Sequence, residues 1–321
     1  MRIGRAAGVT DTGRRRLRNE DAFICDPPLF AVADGMGGAR AGEVAARLTA
    51  AALEEAGVDT KGEQGVTAMI AEANRRVWER ALADPATAGM GTTVTAALVD
   101  TDSGTVTIGH VGDSRAYRLR AGSLEQLTTD HSLVAELVSS GVLTPEEAER
   151  HPQRSAITRA LGTESTVEVE VKTIACEPGD LYLLCSDGLP TMLADGDIAT
   201  TLAAAEGEPA VAAEALVVAA NRQGGEDNIT VVLFELAEGE VPAAESTPSD
   251  APESDPGSDP STLAHTSTES VHPIPTHGAS EASDVDLRKH GAGPGGRLTA
   301  IAFVVAVLAV GALALYWGIS K

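Results

Sequence analysis

Two hydrophobic periods share the first 236 residues of the chain. Alternating or short continuous apolar runs cover 4–11, 22–25, 29–33, 92–99, 105–111, 116–120, 167–174, 180–185 and 229–236, which predicts strands. Ala-rich stretches over 43–56 and 65–83 repeat their apolar positions at helical spacing, so two successive helices follow the third strand. Asp100-Thr101-Asp102-Ser103-Gly104 separates two strands as a turn. Residues 132–150 return to a helical pattern, interrupted by Gly141 and by Pro145, whose fixed φ suits a helix start. A last helix is expected over 208–221. Helix pairs set between groups of strands do not make a parallel βαβ array. They predict an α+β domain over 1–237, with two packed sheets and the helices outside.

The densest chemical signal is Leu29-Phe30-Ala31-Val32-Ala33-Asp34-Gly35-Met36-Gly37-Gly38. An apolar strand stops on a carboxylate, and a Gly-rich turn follows. The same design recurs in Leu181-Tyr182-Leu183-Leu184-Cys185-Ser186-Asp187-Gly188 and in Gly109-His110-Val111-Gly112-Asp113. A fourth aspartate, Asp227, stands at the start of the last strand. Carboxylates gathered at strand ends suit a hard cation. The oxygen donors Asp34, Asp187, Asp227 and the Gly35 carbonyl favour Mg²⁺ or Mn²⁺ over zinc, which prefers His or Cys. Two ions sharing Asp34 would lie roughly 3.5–4 Å apart and hold a water whose pKa is drawn towards neutrality. The matching substrate is an electrophile with negative oxygens, which points to a phosphate ester. Such a site also needs a guanidinium fork. Arg14, Arg15, Arg16 and Arg18, in the loop between the first two strands, are the candidates.

Composition narrows the reading further. The net charge of -23 argues against a nucleic-acid partner. Hydrophobic residues make up 43% of the chain and aromatics only 3%, so the core must be built from Ala, Val, Leu and Ile. Cys25, Cys176 and Cys185 form no CxxC and lie in or beside strand-like runs, as expected for buried, reduced thiols of a cytosolic domain. Met1-Arg2-Ile3-Gly4-Arg5 opens no apolar leader, so no cleaved signal peptide is expected.

Past residue 237 the pattern ends. Residues 238–297 are rich in Pro, Ser, Thr, Asp and Glu and predict a disordered acidic linker. Residues 298–319 are uncharged and, as a helix, would extend about 33 Å, enough to cross a bilayer. Tyr316 and Trp317 suit an interfacial anchor. Arg288, Lys289 and Arg297 precede the run and only Lys321 follows it. The expectation is a single-pass cell-membrane protein with its folded domain cytoplasmic and residues 320–321 as a short extracytoplasmic tail.

Arg16-Leu17-Arg18-Asn19-Glu20-Asp21, Asp34-Gly35-Met36-Gly37-Gly38, Gly112-Asp113-Ser114-Arg115, Thr129-Asp130-His131-Ser132, Ser186-Asp187-Gly188 and Gly225-Glu226-Asp227-Asn228 resemble the ordered motifs of the bacterial metal-dependent protein phosphatases of type 2C. The resemblance covers about residues 3–236. It implies a central β-sandwich of two antiparallel sheets flanked by helix pairs, and hydrolysis of phosphoserine and phosphothreonine on proteins. By position it implies that Asp34 bridges two Mn²⁺ or Mg²⁺ ions, that Gly35 binds one through its carbonyl, and that Asp187 and Asp227 hold the other. It places Arg16 on the phosphate, Glu20 and Asp21 on metal-bound waters, and Asp113 with Asp187 on a third, weaker ion. Residues 132–159, including Ser132, His151, Arg154 and Ser155, resemble a substrate flap beside the site. Met36 stands where many eukaryotic relatives carry a proton-donating His and marks the bacterial subtype. His110 and His131 read as structural. The implied protein is a membrane-tethered monomer acting on phosphoproteins, opposing a membrane serine/threonine kinase and its targets. The alternatives are a partner-switching phosphatase dedicated to one regulator and a pseudophosphatase that binds phosphoproteins without turnover.

Overall fold

The computed structural model of the chain describes residues 1–37, 41–57 and 60–239. The apolar run 298–319, its short tail and nearly all of the predicted linker lie outside the described residues. Five strands form one antiparallel sheet, in the order β1 (Arg2–Asp11), β11 (Ile229–Ala237), β10 (Leu181–Cys185), β7 (Arg115–Arg120), β8 (Ser123–Gln126). The second antiparallel sheet runs β2 (Asp21–Asp26), β3 (Leu29–Met36), β5 (Val94–Asp100), β6 (Thr105–Val111), β9 (Glu170–Ala175), with β4 (Gly91–Thr92) paired to the end of β3.

Strict alternation along the central strands decides the layering. In β10, Tyr182 and Leu184 join Val232 and Phe234 of β11 and Phe30 and Val32 of β3 in the cluster between the sheets. Leu181, Leu183 and Cys185 point the other way, against α5 (Asp195–Ala204) and α6 (Pro209–Arg222). On the far side, Ala31, Val94, Ala96 and Leu98 pack against α1 (Ala41–Gly57) and α2 (Gly62–Ala83). β3, β5, β10 and β11 are therefore apolar on both faces, which is why these strands read as near-continuous apolar runs. The result is the expected sandwich of two antiparallel sheets with a helix pair on each side.

Four local differences have physical causes. β3 does not stop at Asp34: it continues through Gly35 and Met36, which pair with Thr92 and Gly91. β8 has little apolar content and was not expected. It forms because Ala121 and Gly122, at φ 49 and 81, make a tight turn that folds Ser123–Gln126 back on β7. α5 begins Asp195-Gly196-Asp197, which resembles a loop, and only Ile198 and Leu202 of it are buried. The predicted helix over 132–150 is two short ones, α3 (Leu133–Ser139) and α4 (Pro145–Glu149), with Thr144 and Glu147 forming a capping box ahead of the second.

One end of the β7–β10 pair is fastened by an ion pair with a buried carboxylate. Asp180, whose side chain is 1% exposed, takes the Arg120 fork through Nε and Nη2 at 2.6 Å each and accepts the Glu177 N–H at 2.9 Å. Burial would raise this carboxyl, but the guanidinium and the N–H outweigh it and hold its pKa below the usual range. Arg120 itself is 29% exposed, so Arg120→Ala should cost about 2–3 kcal/mol, less than a fully buried pair. A depressed folded pKa stabilises above the unfolded value of about 3.9 and is lost as pH falls through the folded value. The gap in thermal stability between wild type and Arg120→Ala should therefore be full at pH 7 and close below about pH 4. A gap independent of pH would show that packing, not charge, carries it.

Candidate active site

The two sheets end together, and their loops bring distant carboxylates to one place. The β2–β3 register sets Asp21 opposite Asp34. The Asp34 backbone is fixed by Thr93, whose Oγ1 accepts its N–H at 3.0 Å and whose N–H reaches its carbonyl at 2.9 Å. Gly35 follows, and a Cβ there would fall 2.2 Å from the Gly42 carbonyl of α1 and 2.6 Å from that of Glu20. Only glycine allows that approach. In the other sheet, Ser186 accepts the Thr230 N–H at 2.9 Å and its own N–H reaches the Thr230 carbonyl. That tie carries Asp187, just past β10, towards Asp227, just before β11.

The arginine loop is anchored at both ends. Arg14 and Arg15 N–H groups share the Gly225 carbonyl at 2.7 and 3.2 Å. Asn228 donates from Nδ2 to the Thr12 and Arg18 carbonyls at 3.0 and 2.9 Å, and its Oδ1 accepts the Glu20 N–H at 2.8 Å. Arg16 then reaches Asp227 from the tip, Nη2 to Oδ2 2.5 Å. Beneath the loop lies a cavity of about 890 Å³ whose walls include Arg16, Glu20, Asp34, Asp113, Asp187 and Asp227.

Electrostatically the cavity is an excess of buried negative charge. Burial first, and then the neighbouring Asp21, Asp187, Asp113 and Asp227, push the Asp34 carboxyl well above its ordinary value. Burial likewise raises Asp21 to about 7 against hydrogen bonds from Thr230 and Ser186. Asp113 rises to about 7, through burial and then Asp187. Asp187 rises to about 6, through burial and then Asp227. Oδ1 of Asp21 and Oδ1 of Asp187 are buried without a hydrogen-bond partner. Unpaired buried carboxylate oxygens are costly unless a cation or proton meets them. An all-oxygen donor set with orphaned anionic atoms fits a hard divalent cation and gives no thiolate or imidazole for zinc. Among the described residues no three acidic, imidazole or thiol groups already converge as a closed ligand cage. The aspartates share a cavity and a field, and Arg16 holds one oxygen of Asp227.

Of the residues singled out in the sequence, Arg16, Glu20, Asp34, Gly35, Asp113, Asp187, Asp227 and Ser155 line this cavity. Asp21 stands behind Asp34 and is fixed by the Thr230 hydroxyl at 2.6 Å. The other flap residues lie off it. Ser132 is buried and caps α3 by accepting the Ala135 N–H. Residues 151–156 fold on themselves, with Arg154 N–H to the His151 carbonyl and Ala156 N–H to the Gln153 carbonyl, so His151 and Arg154 do not reach the cavity while Ile157 does. His110 and His131 stack at 4.7 Å and hold loops. His131 Nδ1 accepts the Gly112 N–H at 3.0 Å and so positions the turn that carries Asp113. Burial, then His131, lowers His110 to about 3, which keeps it neutral. Sequence reasoning missed Thr93, a threonine with no pattern to distinguish it, and the extent of Asn228's role, although Asn228 lay within a noted motif.

An antiparallel sandwich whose sheet ends converge on buried aspartates under an arginine loop defines a class of phosphatase, and the Protein phosphatase 2C family model matches residues 13–217. The chain belongs to that family. It is 41% identical over 237 residues to the serine/threonine protein phosphatase PstP of Mycobacterium tuberculosis, covering 73% of this chain and 45% of PstP. It is 39% identical over 238 residues to the serine/threonine phosphatase stp of Listeria welshimeri, covering 70% of this chain and 93% of that protein. The crystal structure of the catalytic domain of PstP in complex with two manganese ions superposes with a TM-score of 0.67 at 38% identity, covering 74% of this chain and 99% of that one. The chain thus spans less than half the length of one curated relative and nearly all of another.

Proposed function

We propose that this chain removes phosphate from serine and threonine residues of proteins, using Mn²⁺ or Mg²⁺ held at the aspartate cavity. The observation that carries the reading is the gathering of Asp34, Asp113, Asp187 and Asp227 from four separate chain segments into one cavity beside Arg16. Asp34, the Gly35 carbonyl, Asp187 and Asp227 would hold two ions, as two manganese ions are held in the PstP catalytic domain, with Glu20, Asp21 and Asp113 serving solvent ligands or a third ion. When bound, such ions neutralise phosphate oxygens and lower the pKa of a water ligand. The chain's own groups do the rest. Arg16 presents five N–H donors, of which Asp227 takes one in the structure, and the others are available to clamp phosphate oxygens in a planar fork. Thr93 and the glycine contact at Gly35 keep Asp34 from shifting. Hydrolysis of p-nitrophenyl phosphate and of a phosphothreonine peptide should require Mn²⁺ or Mg²⁺ and fall to background in excess chelator, returning when metal is restored. Full turnover in chelator would defeat the reading, and tight phosphopeptide binding without turnover in saturating Mn²⁺ would favour a pseudophosphatase.

The tail supports a location as well. An uncharged 298–319 run behind a polar linker, with basic residues on the domain side, supports a cell-membrane anchor that keeps the catalytic domain cytoplasmic. A linker of about 60 residues has a root-mean-square reach of roughly 40–45 Å. A monomer on such a tether could oppose a membrane serine/threonine kinase and act on its targets. Deleting 298–321 should move the protein from the membrane to the soluble fraction and leave phosphothreonine on membrane proteins elevated. Unchanged partition would remove the tether from the account.

A further inference from the structure

The residue beside the phosphate-clamping arginine is anomalous. Leu17 is 99% exposed, against 68% for Leu82 and 65% for Val142, the next most exposed large apolar side chains among the described residues. It is also the one of these that lines the aspartate cavity. Single exposed apolar residues are common on any surface, so exposure by itself means little. Here the position adds to it. Leu17 sits between Arg16 and Arg18, and Arg15 and Arg18 line the same cavity wall. Among the described residues the side chains of Arg15 and Arg18 make no salt bridge, whereas Arg16 is committed to Asp227. The tip is not a loose end, because the Gly225 carbonyl and Asn228 pin the backbone on both sides of it. A fixed loop therefore holds one apolar side chain and two uncommitted guanidiniums at the mouth of a cavity far larger than a phosphate group.

We propose that Arg15, Leu17 and Arg18 form a substrate-selecting lip. The preferred substrates are phosphorylated segments with an apolar side chain one or two positions from the phosphorylated residue and carboxylates close by. This rests on the phosphatase reading given above. Consecutive Cα atoms are about 3.8 Å apart, so a peptide whose phosphate meets Arg16 brings its nearest neighbours over Leu17. Covering Leu17 removes apolar surface from water on both partners. Acidic side chains would be repelled by most of a chain of net charge -23 and attracted by this run of arginines, which orients the segment as well as holding it.

The test is a set of four phosphothreonine peptides of equal length, carrying an apolar neighbour, acidic flanks, both, or neither, hydrolysed by the full-length chain in Mn²⁺. Wild type should favour the peptide with both features. Leu17→Ser should cut the ratio of kcat/KM between peptides with and without the apolar neighbour by up to about tenfold. Arg15→Gln and Arg18→Gln should each cut the acidic preference by about threefold, and that preference alone should fade with added salt. Equal turnover of all four peptides by wild type, or ratios that these substitutions leave unchanged, would overturn the lip and leave the phosphatase reading standing. Absence of turnover of every peptide would overturn the phosphatase reading itself, and the lip with it.

Discussion

Asp34→Asn is expected to lower kcat/KM for phosphoprotein hydrolysis by more than about 10³-fold while leaving the metal-free fold as stable as wild type or more so. Loss and gain have the same source. Asp34 is the carboxylate on which the fields of Asp21, Asp113, Asp187 and Asp227 all act, and burial plus those charges drive its pKa well above the ordinary range. Its ionised form is therefore held at a cost, and an amide of the same shape relieves that cost. With divalent cations present the balance reverses, because the charge that destabilises the metal-free domain is what draws the ions in. Thermal melting with and without Mn²⁺ separates the terms: wild type should gain strongly from the metal and Asp34→Asn should gain much less. Undiminished turnover in Asp34→Asn, or equal stabilisation of both proteins by Mn²⁺, would remove Asp34 from the centre of the site.

The largest effect on stability is expected between the sheets. The chain has four Phe, three Tyr and two Trp, and two of those Phe and one Tyr make a single stack. Phe234 lies with its ring 4.1 Å from Phe30 at 8° and 5.0 Å from Tyr182 at 7°, and all three are 0% exposed. Neighbouring positions are filled by small or branched residues such as Ala97, Val99 and Val232, which cannot swing in to fill a ring-sized void. Phe234→Ala should cost about 3–5 kcal/mol, from lost burial, an unfilled cavity and a broken aromatic stack. Against a total of about 5–15 kcal/mol for a domain of this kind, that is a large share. Urea unfolding should show the midpoint falling with little change in slope. Phe234→Leu should recover part of the loss, and a cost below about 1 kcal/mol for Phe234→Ala would mean the two sheets repack around the gap.

Much of the candidate site is legible in the sequence, for an identifiable reason. Asp34, Asp113, Asp187 and Asp227 each sit where an apolar strand meets a turn, so local pattern alone marked them as strand-end groups. Gly35 was marked for the same reason, although the structure shows that its need for glycine comes from α1 packing against it and not from a turn. Arg16 was separable from Arg14, Arg15 and Arg18 only by its place in a family motif. In the structure the separation is a contact, since Arg16 alone of the four reaches Asp227. The flap was legible as a helical stretch with two breaks, but not the self-folded turn that turns His151 and Arg154 away from the cavity and leaves Ser155 on it.

Period-two and period-3.6 hydrophobicity, acting between neighbours in the chain, determined most of the strands and helices, β8 and α5 excepted, and predicted two sheets with helices outside. The same local chemistry determined that the carboxylates stand at strand ends. Only the tertiary structure decided that those ends meet, that Asp21 faces Asp34 across two strands, that Asn228 fastens a loop 210 residues away in sequence, and that Leu17 is held out in the open. These depend on register and on which strand lies beside which, and contacts between residues so far apart in the chain leave no periodic trace in either segment alone.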